Sequence, residues 1–202
     1  MKKTFLAFIA AVVVLTALCP ALAQNEKDQA IKPALLVIDV QNAYVPMMDA
    51  PPMAFRMING VIALFRQHGL PVIRVYHTSP QWGPASDSEG FQFDPAIQVT
   101  EEDAKVIKNY GNAFKKTELD SLLRAQGVNT LFLCGLSSTG CVLATYHGGV
   151  DLDYRTFMVS QALIGPKQSL TEAVEEMLST IDYSALSLLL DAISPREKVS
   201  NY

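Results

Sequence analysis

From Ala34 to Asp39 the chain reads Ala-Leu-Leu-Val-Ile-Asp, an unbroken apolar run that stops at a carboxylate. A strand with one wet face alternates apolar and polar residues. An unbroken run instead predicts a strand buried on both faces, as in a parallel sheet between helices. Further strands are read at Pro71–Tyr76, Ala104–Lys108, Thr130–Gly135 and Arg155–Val159. Helical spacing separates the runs. Phe55, Ile58, Ile62 and Phe65 mark one helix, with Pro51 and Pro52 near its start and Gly69 at its end. Thr117 opens a second, with Leu119, Leu122 and Leu123 as its buried stripe and Gly127 at its end. A third spans about Thr139 to Leu152. Ser169 and Glu172 cap a fourth, with Leu170, Val174, Met177 and Leu178 on one side. The tail from Tyr183 to Ile193 reads as a helix closing over Leu186–Leu190, then a short sixth strand around Ala192. Strand–helix alternation of this kind predicts an α/β doubly wound sheet with helices on both faces.

A chain of 202 residues suits one such domain, and 50% apolar content with 18% charged residues suits a full core. The net charge of −4 argues against a nucleic-acid or anionic-membrane surface. The first 23 residues differ in kind. Lys2 and Lys3 precede an uncharged apolar run from Phe5 to Leu18, and Ala21-Leu22-Ala23 closes it. This is the three-part pattern of a secretory signal peptide, so an exported protein, periplasmic or secreted, is expected. Residues 24–32 then form a polar linker and 33–202 the folded domain. Losing the two leader lysines from 16 basic residues leaves 14 against 20 acidic ones, a charge of −6. Cys134 and Cys141 remain, and export raises the question of a disulfide between them.

In open α/β sheets ligands bind beyond the carboxyl ends of the strands. Asp39 ends the first strand, Lys108 ends the third, and Cys141 follows the fourth at the start of a helix. An acid, a base and a thiol are thus expected at one sheet edge. Each has a structural reading too: a turn-capping Asp, a solvated Lys, a core Cys. A helix N-terminus and a nearby ammonium favour a thiolate at Cys141. Cys134, inside the apolar strand, is expected to be inert core, and a bridge would need Cys141 to turn back into the sheet. The stretch 78–104 is long and irregular, a length more typical of functional or mobile loops. No glycine-rich phosphate loop follows the first strand, so no flavin or nucleotide site is expected.

Three segments carry a family resemblance: Asp39-Val40-Gln41, Lys108 followed by Asn-Tyr-Gly-Asn-Ala-Phe114, and Gly135-Leu-Ser-Ser-Thr-Gly-Cys141-Val142. Together, and in this order, they resemble the isochorismatase-like cysteine hydrolases, a family that includes nicotinamidases and N-carbamoylsarcosine amidase. The resemblance implies a three-layer, Rossmann-like, mostly parallel six-stranded sheet. It implies a catalytic Asp39–Lys108–Cys141 triad, a cis peptide at Leu136–Ser137, and an oxyanion hole from the backbone N–H groups of Ser137 and Cys141. It also implies a homodimer or larger homo-oligomer acting on a small molecule. The expected reaction is cleavage of a small amide or related C–N bond through a thioester. An ester or thioester hydrolase, or a non-catalytic binding protein of the same fold, are the alternatives. Metal-dependent nicotinamidases carry an Asp-x-His pair, whereas Met47–Met53 here holds no histidine. No metal or other cofactor is therefore expected, and nicotinamide is disfavoured. Isochorismatase itself lacks the cysteine, so Cys141 argues against vinyl-ether hydrolysis. Gln41, Tyr44, His77, Trp82, Tyr110 and Tyr146 are the expected pocket residues, with Phe91 and Phe114 as further aromatics. Trp82 is the candidate for a lid or a subunit contact, and Asn112 stands where many relatives have a small hydroxyl residue.

Overall fold

The structure, a computed structural model, describes residues 30–81 and 83–193. The expected signal peptide, most of the linker, Trp82 and residues 194–202 lie outside the described residues. The strands are β1 (Pro33–Ile38), β2 (Val72–His77), β3 (Ala104–Lys108), β4 (Thr130–Leu136), β5 (Arg155–Ile164) and β6 (Thr180–Ile181). The helices are α1 (Pro52–Gln67), α2 (Leu119–Ala125), α3 (Cys141–Asp151), α4 (Gln168–Met177) and α5 (Tyr183–Ile193). The sheet is six-stranded, parallel at every pairing, in the order β3-β2-β1-β4-β5-β6. That order reverses direction between β1 and β4, the point where doubly wound sheets bind ligands.

Every residue of β1 and β4 is buried, which accounts for their unbroken apolarity. Side chains alternate across a strand. Leu35 and Val37 of β1 therefore join the core beneath α1 and α5, with Ile58, Ile62, Phe65, Leu186 and Leu190. Leu36 and Ile38 join the opposite core beneath α2, α3 and α4, with Leu119, Leu123, Val142 and Val174. At the centre, Gly135 pairs with Ile38 at φ 109°. A Cβ there would lie 2.2 Å from the Ile38 carbonyl oxygen. Only glycine lets β4 approach β1 this closely, one residue before Asp39.

Four local expectations are corrected. The sixth strand is Thr180–Ile181, ahead of α5 rather than around Ala192, which is helical. Leucine-rich 186–190 continues as one helix because Leu186 and Leu190, four apart, bury on one side. Second, α4 is not opened by Ser169. It starts at Gln168, whose N–H donates to Asp49 Oδ2 at 3.1 Å, a cap supplied from the loop after β1. Its buried face is Thr171 and Val174, while Leu170 and Met177 are exposed. Third, β5 runs five residues beyond Val159, with a shift in register against β4 between Leu133 and Gly135. The helix expected from Thr117 begins at Leu119, whose N–H donates to Thr117 Oγ1 at 3.3 Å.

The described part of the long 78–104 stretch is tied down. Asn42 donates to Gln92 O at 2.9 Å, Ala43 to Gly90 O at 3.0 Å, and Asp94 to Val40 O at 2.8 Å. Phe91, Phe93 and Ile97 are buried, and Tyr76 stacks on Phe91 with ring centroids 4.9 Å apart. Phe91 is thus core, and the partly buried Phe114 packs against the core on the α3 side, stacked on Tyr154.

Candidate active site

The strand ends bring four side chains together. Asp39 is the first residue past β1 and adopts φ 53°, a left-handed conformation that aspartate tolerates better than most residues. Its N–H donates to Val75 O at 2.9 Å, so the turn stays fastened to β2 while the carboxylate leaves the strand line. Lys108 ends β3, and in the parallel register it sits opposite His77, the last residue of β2. Cys141 opens α3 directly after Gly140. The Lys108 Nζ donates to Asp39 Oδ2 at 2.7 Å and lies 3.2 Å from His77 Nδ1. Cys141 Sγ lies 3.6 Å from the same Nδ1, which is 3.7 Å from Asp39 Oδ2.

Burial decides between the structural and reactive readings of these groups. The Lys108 side chain is 0% exposed and that of Asp39 is 2% exposed, so neither is a solvated strand-end residue. Asp39 Oδ1 is buried without a hydrogen-bond partner. Buried polar atoms are normally satisfied, so this oxygen is open to a further donor beside the thiol. Cys134 is buried in β4 and its thiol is pushed well above its ordinary value by desolvation; both cysteines are free. No disulfide joins them, as expected.

One electrostatic expectation is overturned. Cys141 is not a resting thiolate: its pKa is pushed up from 9.0 to about 12. Burial is the largest cause, the Asp39 charge adds to it, and Lys108 opposes it without prevailing. The ammonium acts in the expected sense, but loss of water outweighs it. The nucleophile therefore needs a base, and a carboxylate stands beside it.

Gln41 is fully buried, and it clamps rather than lines. Its Oε1 accepts the His77 N–H at 2.7 Å, while its Nε2 donates to His77 O at 3.1 Å and to Phe91 O at 2.8 Å. Tyr44 sits with its ring 5.9 Å from that of His77, and burial, Asp39 and Cys141 raise its pKa to about 12. Tyr110 lines a neighbouring cavity of about 400 Å³ with Ser79, Pro80, Gln81, Asn109 and Lys116. Tyr146 is not a pocket residue: it is buried in the core and its hydroxyl accepts the Ser179 N–H at 3.3 Å. A residue five past the start of α3 has turned from the sheet edge into the interior. Asn112 packs against Gly148 of α3, and its Oδ1 accepts the Phe114 N–H at 2.9 Å. His77 is the member that sequence reasoning placed on the pocket wall instead of inside the charged cluster. The signal was available in principle, since it ends the strand between those of Asp39 and Lys108.

The peptide Leu136–Ser137 is cis. Ser137 O accepts from Gly140 at 3.0 Å and from Val142 at 3.1 Å, while Ser138 donates to Ile164 O at 2.8 Å. Ser138 Oγ also bonds Thr171 Oγ1 at 2.9 Å, which ties the loop to α4. Among the described residues, the backbone N–H groups of Ser137 and Cys141 donate to no protein carbonyl. Asp39, His77 and Cys141 set three donor atoms within 4.8 Å of one another, the spacing of a metal cluster. The Lys108 ammonium, within 3.2 Å of both Asp39 and His77, already fills the cationic position there. The donor types are ones zinc accepts, and it is this ammonium that opposes a second cation there.

A doubly wound parallel sheet with this reactive cluster at its switch point is the framework of an α/β hydrolytic enzyme. Residues 33–183 match the Isochorismatase domain. The chain belongs to the isochorismatase family and is a hydrolase of that family. Among its relatives, the isochorismatase family protein YddQ of Bacillus subtilis is 30% identical over 64% of this chain and 76% of its own. Maleamate amidohydrolase of Pseudomonas putida is 29% identical over 68% of this chain and 74% of its own. The solved N-carbamoylsarcosine amidase of Thermoplasma acidophilum superposes with a TM-score of 0.65 and 28% identity, covering 75% of this chain and 96% of that one.

Proposed function

We propose that this chain is an exported cysteine hydrolase that cleaves a small amide or related C–N bond through a Cys141 thioester. The observation that carries this reading is the burial of Asp39, bound to Lys108 at 2.7 Å, beside a thiol that is neutral at rest. Two similar proteins, the maleamate amidohydrolase and the N-carbamoylsarcosine amidase, are named for C–N cleavage, which supports an amide over an ester.

In this reading the Cys141 S–H gives its proton to the Asp39 carboxylate as sulfur attacks the substrate carbonyl carbon. The oxyanion is held by the Ser137 and Cys141 N–H groups, each such donor lowering the barrier by about 3 kcal/mol. As the C–N bond breaks, Asp39 returns the proton to the leaving nitrogen. Water then adds to the thioester with Asp39 as base, and release of the acid restores the thiol. Lys108 keeps the Asp39 charge in place and offsets negative charge on sulfur. Tyr44 and Tyr110 border the substrate. Residues 1–23 direct export, and the enzyme works as a homodimer or larger assembly, as the family resemblance implies.

Incubating the full chain with a panel of small amides and ureido compounds, followed by intact-protein mass spectrometry, tests this reading. The expected result is a substrate-dependent acyl adduct on Cys141. Cys141→Ala is expected to lose the adduct and all turnover, and turnover at the normal rate in that variant would sink the assignment.

A further inference from the structure

We propose that His77 is a positioning residue that carries its proton on Nε2 and uses the bare Nδ1 to hold Lys108 in place beside the Cys141 thiol. This rests on the cysteine-hydrolase reading above, but it concerns a residue outside that proton path. The Lys108 ammonium carries only donors, so a nitrogen 3.2 Å away must offer a lone pair. A proton on Nδ1 would point at a cation. The one carboxylate in reach, Asp39 at 3.7 Å, is already engaged by Lys108 at 2.7 Å. Nδ1 is therefore the acceptor for Lys108, and the same atom lies 3.6 Å from Cys141 Sγ.

The groups facing the ring come from every neighbouring element. They are Asp39 after β1, Lys108 from β3, Cys141 from α3, and Tyr44 from the turn that follows Asp39. Tyr44 is a neutral phenol across the working range, so Lys108 is the cation that sets the tautomer. Gln41 fixes the His77 backbone at both N–H and C=O, which sets the point from which the ring projects. The fully buried Gln41 thus acts one step behind His77.

The chemical consequence is a division of labour. A base that competed with Asp39 for the thiol proton would leave an imidazolium beside Lys108. A neutral acceptor avoids this and keeps the ammonium between carboxylate and sulfur. His77 therefore orients, and Asp39 carries the proton.

Two measurements on the full chain test this, and neither needs a known substrate. The first is the ¹⁵N spectrum of histidine-labelled protein. With only 3 histidines, the His77 variant assigns the signals. The expected result is that the neutral ring carries its proton on Nε2, with Nδ1 bare; an Nδ1–H tautomer would overturn the proposal. The second is the pH profile of Cys141 alkylation by iodoacetamide in wild type, His77→Leu and His77→Asn. His77→Leu is expected to move the profile to higher pH, since Lys108 is no longer held beside the sulfur. His77→Asn, whose Oδ1 replaces the Nδ1 acceptor, is expected to track the wild type. Coincident profiles for wild type and His77→Leu, or an Asn variant no better than Leu, would overturn it. Once a substrate is in hand, His77→Leu should lose roughly ten- to hundred-fold in kcat with KM little changed, and Asn should recover most of it. If wild-type Cys141 forms no acyl adduct with any amide, the function reading fails while the spectrum and the alkylation profiles still decide the role of His77.

Discussion

Replacing Lys108 by methionine removes one charge from a pair that has almost no access to water. The two side chains are 0% and 2% exposed and meet at 2.7 Å. At an effective dielectric of about 20, that separation gives an attraction of about 6 kcal/mol. Desolvation of both ions offsets most of it, so the intact pair adds little net stability. Removing one member is different. Asp39 Oδ1 already lacks a partner, and Lys108→Met strips the ammonium from Oδ2, leaving a buried charge uncompensated. The expected loss is about 3–5 kcal/mol. With a urea m-value of about 2 kcal/mol/M, the denaturation midpoint should fall by roughly 2 M. Asp39→Asn should cost less, because its amide oxygen still accepts from Lys108. The double variant Asp39→Asn/Lys108→Met should regain most of the loss, since no buried charge remains. Urea titration followed by circular dichroism completes the cycle. A Lys108→Met midpoint within error of the wild type, or a double variant no more stable than Lys108→Met, would refute a dry, mutually dependent pair.

The raised Cys141 and Tyr44 values make stability fall at alkaline pH. Both groups hold protons in the folded state that the unfolded chain has given up, so their contribution is complete below about pH 9 and is lost between about pH 9 and 12. Denaturation midpoints at about pH 8 and about pH 10.5 should differ, with roughly 1–2 kcal/mol of the difference removed in Cys141→Ala; an unchanged slope would contradict a buried neutral thiol. Gly135→Ala should cost at least about 3 kcal/mol, because the new Cβ meets the Ile38 backbone at 2.2 Å with φ at 109°. The same change should depress activity through the shifted Asp39, and a near-native midpoint would show that β1 and β4 can part there.

The order of strands and helices was legible because burial on two faces leaves a one-dimensional trace. The runs at Ala34–Ile38 and Thr130–Gly135 have no polar residue facing water on either side. Asp39, Lys108 and Cys141 were legible for the same reason, since each stands where such a run ends or just beyond. Ends of parallel strands share one edge, so sequence position alone implied their convergence. Cys134 was separable from Cys141 by its place inside an apolar run.

What sequence could not supply was anything set by register, burial depth or a distant partner. His77 joins the cluster because β2 pairs with β3 so that it faces Lys108, a relation between residues 31 apart. Tyr146 leaves the site because α3 turns it inward, and Asp49 replaces Ser169 as the cap of α4 across 119 positions. The protonation of Cys141 followed from depth, where lost hydration exceeds the pull of a lysine. The chain by itself determined that a thiol, a carboxylate and an ammonium meet at one edge of a parallel sheet. Only the packed structure decided that the thiol is neutral there and that a histidine stands among them, because solvation and side-chain contact exist only once the strands are in register.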